Sequence, residues 1–234
     1  ESYGFKRGRF GFLLTHPVRQ LNNDLAPVEH QYQILSQLGL IYSSDNLLEL
    51  WPSPKETESA LRLLESEWVG TNTNAVGINI AASDRWGTKN WPVENIARLC
   101  DILSAKNIRV IVTGIDKDRD LAKQLLTLTK SKPAILIGKT DLMELAAVIK
   151  HCKVFISPDS APLHIAAAMK VPVIALFGPT LSSRHMPPAK IAIIMEKKPA
   201  CSPCYNTQCK VKTHICMRDI APEEIAQKIY QLIT

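Results

Sequence analysis

A parallel β-sheet covered by helices on both faces is the fold this sequence predicts, and three observations predict it. From about residue 75 onward short apolar runs recur, each suited to a strand buried on both sides. Between these runs apolar residues return at helical spacing. Polar clusters carrying glycine, proline, serine or aspartate close the runs where strand passes into helix. Strands alternating with helices stack as βαβ units around a parallel sheet.

Taken in order, Phe10–Leu14 reads as a strand, and Gln31, Ile34, Leu35 and Leu38 as a helix stopped by Gly39. One strand and one helix cannot close a core, so residues 1–51 read as the remnant of another domain. Trp51-Pro-Ser-Pro54 breaks the chain, and 52–74 reads as a linker. Residues 75–81 form the first buried strand, and Val93, Ile96, Ala97, Cys100 and Leu103 mark the helix after Pro92. Residues 108–113 are the next strand, followed by a helix through Leu121, Leu125 and Leu128, then a strand at 134–137. Asp141 with Glu144 three residues on is a capping box for a helix over 142–150. Val154–Ile156, a small-residue helix, a strand at 171–177 and another at 191–195 complete a domain over 75–220. Ile225, Ile229 and Leu232 share one face of a final helix within 221–234.

Lys and Arg number 28 against 22 Asp and Glu, a net charge of +6 spread without any long basic block. That argues against a nucleic-acid binder and suits an anionic small molecule. No apolar run approaches the roughly 18 residues of a membrane span, so a soluble or peripheral protein is expected. The chain starts at Glu1 and shows no signal peptide, which suggests a cytoplasmic piece of something longer.

Three polar loops should meet at the carboxyl edge of the sheet, where α/β proteins place ligands. The richest is Ser157-Pro-Asp-Ser-Ala-Pro-Leu-His164. Asp159 and Ser160 sit where a strand ends and a helix begins, Pro162 pre-sets the first turn, and Asp159 and His164 flank the spot. Backbone amides at such a start attract phosphate, although a plain capped helix would look the same. Gly178-Pro179-Thr180 opens at the next strand end and tips the balance toward a nucleotide or sugar-phosphate site. The second motif, Ser83 to Pro92, offers Arg85 and Lys89 to a pyrophosphate. Its alternative is a surface loop whose Trp86 and Trp91 anchor it to the core. The third is Thr113-Gly-Ile-Asp116 with Asp118, carboxylates that suit ribose hydroxyls or simply a helix start.

Cys100 and Cys152 lie in apolar contexts and read as core residues. Cys201, Cys204, Cys209 and Cys216 follow a C-x2-C-x4-C-x6-C spacing. A structural zinc site, disulfides and plain packing stay open, with His214 an alternative ligand.

Together Lys89-Asn-Trp-Pro, Asp159-Ser-Ala-Pro-Leu-His164, Phe177-Gly-Pro-Thr180 and the Cys201–Cys216 tail resemble glycosyltransferase family 9, the ADP-heptose:lipopolysaccharide heptosyltransferases, nearest the type II enzymes. The resemblance covers most of 75–234, and Thr15-His-Pro with Leu38-Gly39-Leu40 extends it forward. It implies a GT-B fold of two Rossmann-like domains, here with an incomplete N-terminal one. It implies an inverting enzyme that moves heptose from ADP-heptose to the lipopolysaccharide inner core, in contact with the inner membrane at most peripherally. The resemblance sets Lys89 near the donor phosphates, Asp116 at the ribose, and Asp159, Ser160, Ala161 and His164 at the sugar and pyrophosphate. Gly178 and Thr180 fall in the adjoining loop. Ala161 departs from the glycine of many relatives. The resemblance also implies that the acceptor-side base lies outside this chain, so that it binds donor without turnover. The competing readings are a non-catalytic nucleotide-sugar-binding module, another GT-B activity and a metal-binding interaction domain.

Overall fold

The computed structural model of the chain describes residues 1–6, 10–19, 25, 27–43, 47–70 and 73–233. Two short parallel strands come first, β1 (Tyr3–Phe5) and β2 (His16–Val18), which among the described residues pair only with each other. The strand expected at Phe10–Leu14 is instead a turn of 3-10 helix over Gly11–Leu13. The pairing is drawn past it by a polar clasp. The Ser2 amide donates to Thr15 Oγ1 at 2.6 Å, and the Thr15 amide donates to Ser2 Oγ at 3.0 Å. Phe10, Phe12 and Leu13 therefore join no sheet among the described residues and stay exposed. Helix α1 (Pro27–Leu35) runs on through a 3-10 turn and ends at Gly39, whose φ of 79° is the left-handed stop the sequence predicts.

The stretch read as a linker contains a helix, α2 (Pro54–Ser66). Ser53 and Glu56 form a capping box at its start, and Pro54 occupies its first turn. Ala60 and Leu64, four apart, bury one face of it. Proline that reads as a chain break is equally a helix opener, and the capping pair decides between the two.

Six parallel strands follow with intervening helices: β3 (Ala75–Asn79), α3 (Val93–Ser104), β4 (Arg109–Thr113), α4 (Arg119–Leu128), β5 (Ala134–Ile135), α5 (Leu142–Lys150), β6 (Val154–Pro158), α6 (Ala161–Ala168), β7 (Val173–Phe177), α7 (Ser182–His185) and β8 (Ala192–Glu196). The short α8 (Ile215–Arg218) and the closing α9 (Pro222–Ile233) complete the chain. The sheet order is β5-β4-β3-β6-β7-β8, so winding reverses between β3 and β6. That is the doubly wound, Rossmann-like order, with the crevice at its switch point.

Strand pleating divides the core in two. Val76, Ile78, Val110, Val112, Val154 and Ile156 point to the face covered by α3, α4 and α9. Ile111, Phe155, Val173, Ala175 and Phe177 point the other way, against α2, α5 and α6. Cys100 and Cys152 are buried in these cores, one on each face, and burial pushes both thiols up to about 12. Among the described residues no helix is long and apolar enough to cross a membrane.

Candidate functional site

Above the switch point a cavity of about 640 Å³ opens between the carboxyl ends of β3, β4 and β6. β3 delivers Asn79 and the Ala81–Ser83 turn, β4 delivers Gly114 and Ile115, and β6 delivers Asp159 and the start of α6. The volume falls within the roughly 300–1,000 Å³ of small-molecule sites.

Its polar end is organised around one carboxylate oxygen. Lys89 Nζ donates to Asp159 Oδ2 at 2.7 Å, and Thr180 Oγ1 donates to the same oxygen at 2.8 Å. The side chains of Lys89 and Asp159 are only 14% and 8% exposed, so the pair is a buried one. The Lys89 ammonium also lies 4.8 Å from the centroid of the Trp86 ring. The loop beneath is braced by Asn90 Oδ1, which accepts the Ala82 amide at 2.7 Å. Trp91 is sunk in the core, its indole N–H donating to the Ile220 carbonyl at 3.1 Å. Trp86 thus serves the cation and Trp91 the anchor.

Ser160 precedes α6, but its hydroxyl turns toward Ser157 Oγ at 3.0 Å and the Pro158 carbonyl at 3.2 Å. Among the described residues no side chain caps this helix start. Pro162 has no N–H and the Leu163 amide donates to the Ser160 carbonyl at 3.1 Å, so the Ala161 amide and the helix dipole are what this start offers an anion at the cavity wall. Buried Asn79 donates to the Ala81 carbonyl at 2.5 Å and to Ser160 Oγ at 3.3 Å, tying β3 to this turn.

His164 lines the cavity one turn into α6. Burial holds its imidazole below the ordinary value of about 6.5, with Asp159 opposing and Lys89 reinforcing that effect. His185 at the end of α7 is lowered for the same leading reason. Between the lowered folded value and the unfolded value, the unfolded chain binds more protons. Stability from these two groups is therefore fully present above about pH 6.5 and declines as pH falls through the folded values. Urea unfolding at pH 7.5, 6.5 and 5.5 should show that decline, and His164→Gln should flatten it. An unaltered pH slope in the variant would contradict this assignment.

From the β4 and β5 side the cavity is lined by the apolar Ile115, Leu142 and Leu145 together with Asp118, Thr140 and Asp141. Burial raises Asp118, aided by Asp84, while the Ile115 amide donating to its Oδ2 at 2.8 Å opposes the rise.

Of the residues singled out in the sequence, Lys89, Asp159, Ser160, Ala161 and His164 line one cavity. Thr180 stands directly behind Asp159 and is buried, and Gly178 lies deeper in the same turn. Arg85 and Asp116 do not line the cavity among the described residues. Arg85 is exposed, and Asp116 is exposed and ion-paired with Arg119. The carboxylate that reaches the cavity from that loop is Asp118, because the 3-10 turn over Asp116–Asp118 swings the two side chains apart. Asn79, Leu142 and Leu145 escaped sequence reasoning. A polar residue inside the apolar run 75–82 was the available sign for Asn79.

The cysteines at 201, 204, 209 and 216 are all free and line a separate cavity of about 260 Å³ with His214. Among the described residues no three His, Cys, Asp or Glu side chains are grouped so as to hold a metal ion, so the zinc set is not assembled. Nδ1 and Nε2 of His214 are not equivalent here, since Nε2 lies 2.6 Å from the Thr88 carbonyl. Burial first, then the three neighbouring cysteines, push Cys216 up to about 11. Its thiol stays protonated at neutral pH.

The family model for glycosyltransferase family 9 (heptosyltransferase) matches residues 5–215. Lipooligosaccharide heptosyltransferase 2 of Haemophilus ducreyi is 32% identical over 239 aligned residues, covering 97% of this chain and 69% of that protein. The protein of the same description from Campylobacter jejuni serotype O:6 is 28% identical over 214 residues, 88% of this chain and 66% of its own length. Among solved structures, a family 9 glycosyl transferase from Veillonella parvula superposes with a TM-score of 0.81 at 21% identity, over 95% of this chain and 64% of that one. Escherichia coli heptosyltransferase WaaC with ADP superposes with a TM-score of 0.65 at 19% identity, over 94% and 60%. The chain spans about two thirds of the length of these relatives.

Proposed function

Because the chain belongs to glycosyltransferase family 9, we propose that it binds ADP-heptose in the switch-point cavity and forms the donor side of a heptosyltransferase acting on the lipopolysaccharide inner core. The observation that carries this reading is the convergence of Lys89 and Thr180 on Asp159 Oδ2 beside the uncapped start of α6. Diphosphate fits that polar end, where the helix dipole, the Ala161 amide and an ammonium oppose its charge. The apolar side chains of Ile115, Leu142 and Leu145 suit adenine, and the carboxylate of Asp118 suits the ribose hydroxyls.

In the transfer, an acceptor hydroxyl oxygen bonds to the anomeric carbon of the heptose. The bond from that carbon to the diphosphate oxygen breaks, its electron pair leaves with ADP, and the hydroxyl proton passes to a base. Lys89 and the positive end of α6 act on the leaving side, where negative charge grows on the diphosphate. Asp159 is committed to Lys89 and Thr180, so it holds the cation in place rather than accepting the proton. We draw the base from beyond residues 1–234, and the chain alone then binds donor without turnover.

Thermal unfolding with nucleotides tests the donor assignment. ADP at about 100 times its Kd should stabilise the protein by about 2.7 kcal/mol by mass action. UDP at the same concentration should do far less, and Lys89→Met should cancel the ADP effect. Equal stabilisation by UDP, or none by ADP, would overturn the reading. Heptose transfer by the 234-residue chain from ADP-heptose to a Kdo–lipid A acceptor would overturn the external base.

A further inference from the structure

The two loops that meet at Asp159 are also joined from behind, by the cysteine-rich segment 201–216. Thr88, which precedes Lys89, donates through Oγ1 to the Asn206 carbonyl at 2.7 Å, and its own carbonyl lies 2.6 Å from His214 Nε2. The same segment grips the turn that carries Thr180. The amides of Cys204 and Tyr205 both donate to the Pro179 carbonyl, at 3.1 and 2.9 Å. The Leu181 amide donates to Tyr205 Oη at 3.3 Å, and Ser202 Oγ donates to the Gly178 carbonyl. Gly178 permits this closeness, since a Cβ there would stand 2.6 Å from Met217 Sδ and 3.0 Å from Cys216 Sγ.

Each of these two loops is therefore bonded to one contiguous stretch of chain that itself contributes nothing to the donor cavity among the described residues. Loops at a sheet edge gain precision only when something behind them fixes their backbone. The ammonium of Lys89 and the hydroxyl of Thr180 must reach one oxygen from strand ends that are not neighbours in the sheet, β3 and β7. A shift of about 1 Å in such a group is enough to cost up to about a hundredfold in rate.

We infer that segment 201–216 is a positioning clip for the donor diphosphate, with Thr88 and Tyr205 as positioning residues that act through Lys89 and Thr180. The inference rests on the donor-site reading above, and the loop geometry can be followed without any ligand. In the isotopically labelled 234-residue protein, the Trp86 indole N–H reports on Lys89, which lies over that ring. The Thr180 and Leu181 amides report on the second loop.

Thr88→Val keeps the shape and removes the hydroxyl; it should move the Trp86 indole resonance and weaken ADP binding about tenfold, and Thr88→Ser should restore both. Tyr205→Phe removes only the phenol oxygen of a partly exposed ring, a change the fold should tolerate. It should move the Thr180 and Leu181 amides and weaken ADP binding in the same direction. Resonances at their wild-type positions in both variants would overturn the clip. So would displaced resonances with ADP affinity unchanged. Wild-type protein that fails to bind ADP would instead overturn the donor assignment, and the ligand-free resonances would still decide whether the clip exists.

Discussion

Asp159→Ala is expected to destabilise the protein by about 3 kcal/mol and to abolish donor binding. Removing one member of a buried pair leaves the other charge without its partner, at a cost of about 3–5 kcal/mol. The 14% exposure of the Lys89 side chain lets some water reach the ammonium, which favours the lower end. Thr180 loses its acceptor at the same time, and its hydroxyl is left buried. The double variant Asp159→Ala/Lys89→Met separates stability from function. It should recover most of the lost stability, since no unpaired charge remains, yet still fail to bind ADP. Urea unfolding of the four proteins in this cycle gives the coupling, and calorimetry with ADP gives the binding. Tight ADP binding by Asp159→Ala would remove the carboxylate from the donor site. A double variant less stable than either single one would show that the pair is not what these residues contribute.

Phe155→Ala should be the most damaging single truncation in the core, at about 3–5 kcal/mol. Phe155 is fully buried as the second residue of β6, and its ring occupies the space above Gly77 on the adjacent β3. A Cβ at Gly77 would lie 2.4 Å from Phe155 Cδ2, so the two positions share one volume. The void would open between these two strands and Cys152, whose Sγ would stand 2.9 Å from the same Cβ at Gly77. Against a total stability of about 5–15 kcal/mol for a typical domain, such a loss is severe. Gly77→Ala should also destabilise, and Gly77→Ala combined with Phe155→Leu should cost less than the two changes summed. Denaturant midpoints with an unchanged m-value would measure this. A loss under about 1 kcal/mol for Phe155→Ala, or strict additivity of the pair, would contradict the shared-volume account.

Several features were legible in the sequence because they are local. The capping box at Asp141 and Glu144 forms, with the Glu144 amide donating to Asp141 Oδ1 at 2.8 Å. Pro162 opens α6, Gly39 stops the N-terminal helical segment, and β3, β4, β6 and β7 lie on the apolar runs. Each depends on residues within one or two turns, or on a short stretch buried on both faces. Where neighbours do not decide, the reading departed from the structure. The apolar run at 10–14 has strand composition but no partner strand among the described residues, and the Ser2–Thr15 clasp sets the pairing beyond it.

Alternation of strand and helix, and polar loops after the strands, were enough by themselves to define a doubly wound sheet with Lys89, Asp159 and His164 at its carboxyl edge. Hydrophobic periodicity and turn chemistry are written in consecutive residues, and the parallel sheet follows from them. Only the tertiary structure decided that Lys89 and Thr180 share one oxygen of Asp159, that Asp118 rather than Asp116 faces the cavity, and that the cysteine-rich tail grips both loops. Those contacts join residues separated by up to 126 positions, as between His214 and Thr88. Their geometry depends on strand order, and strand order arises from the packing of the whole sheet rather than from any stretch of it.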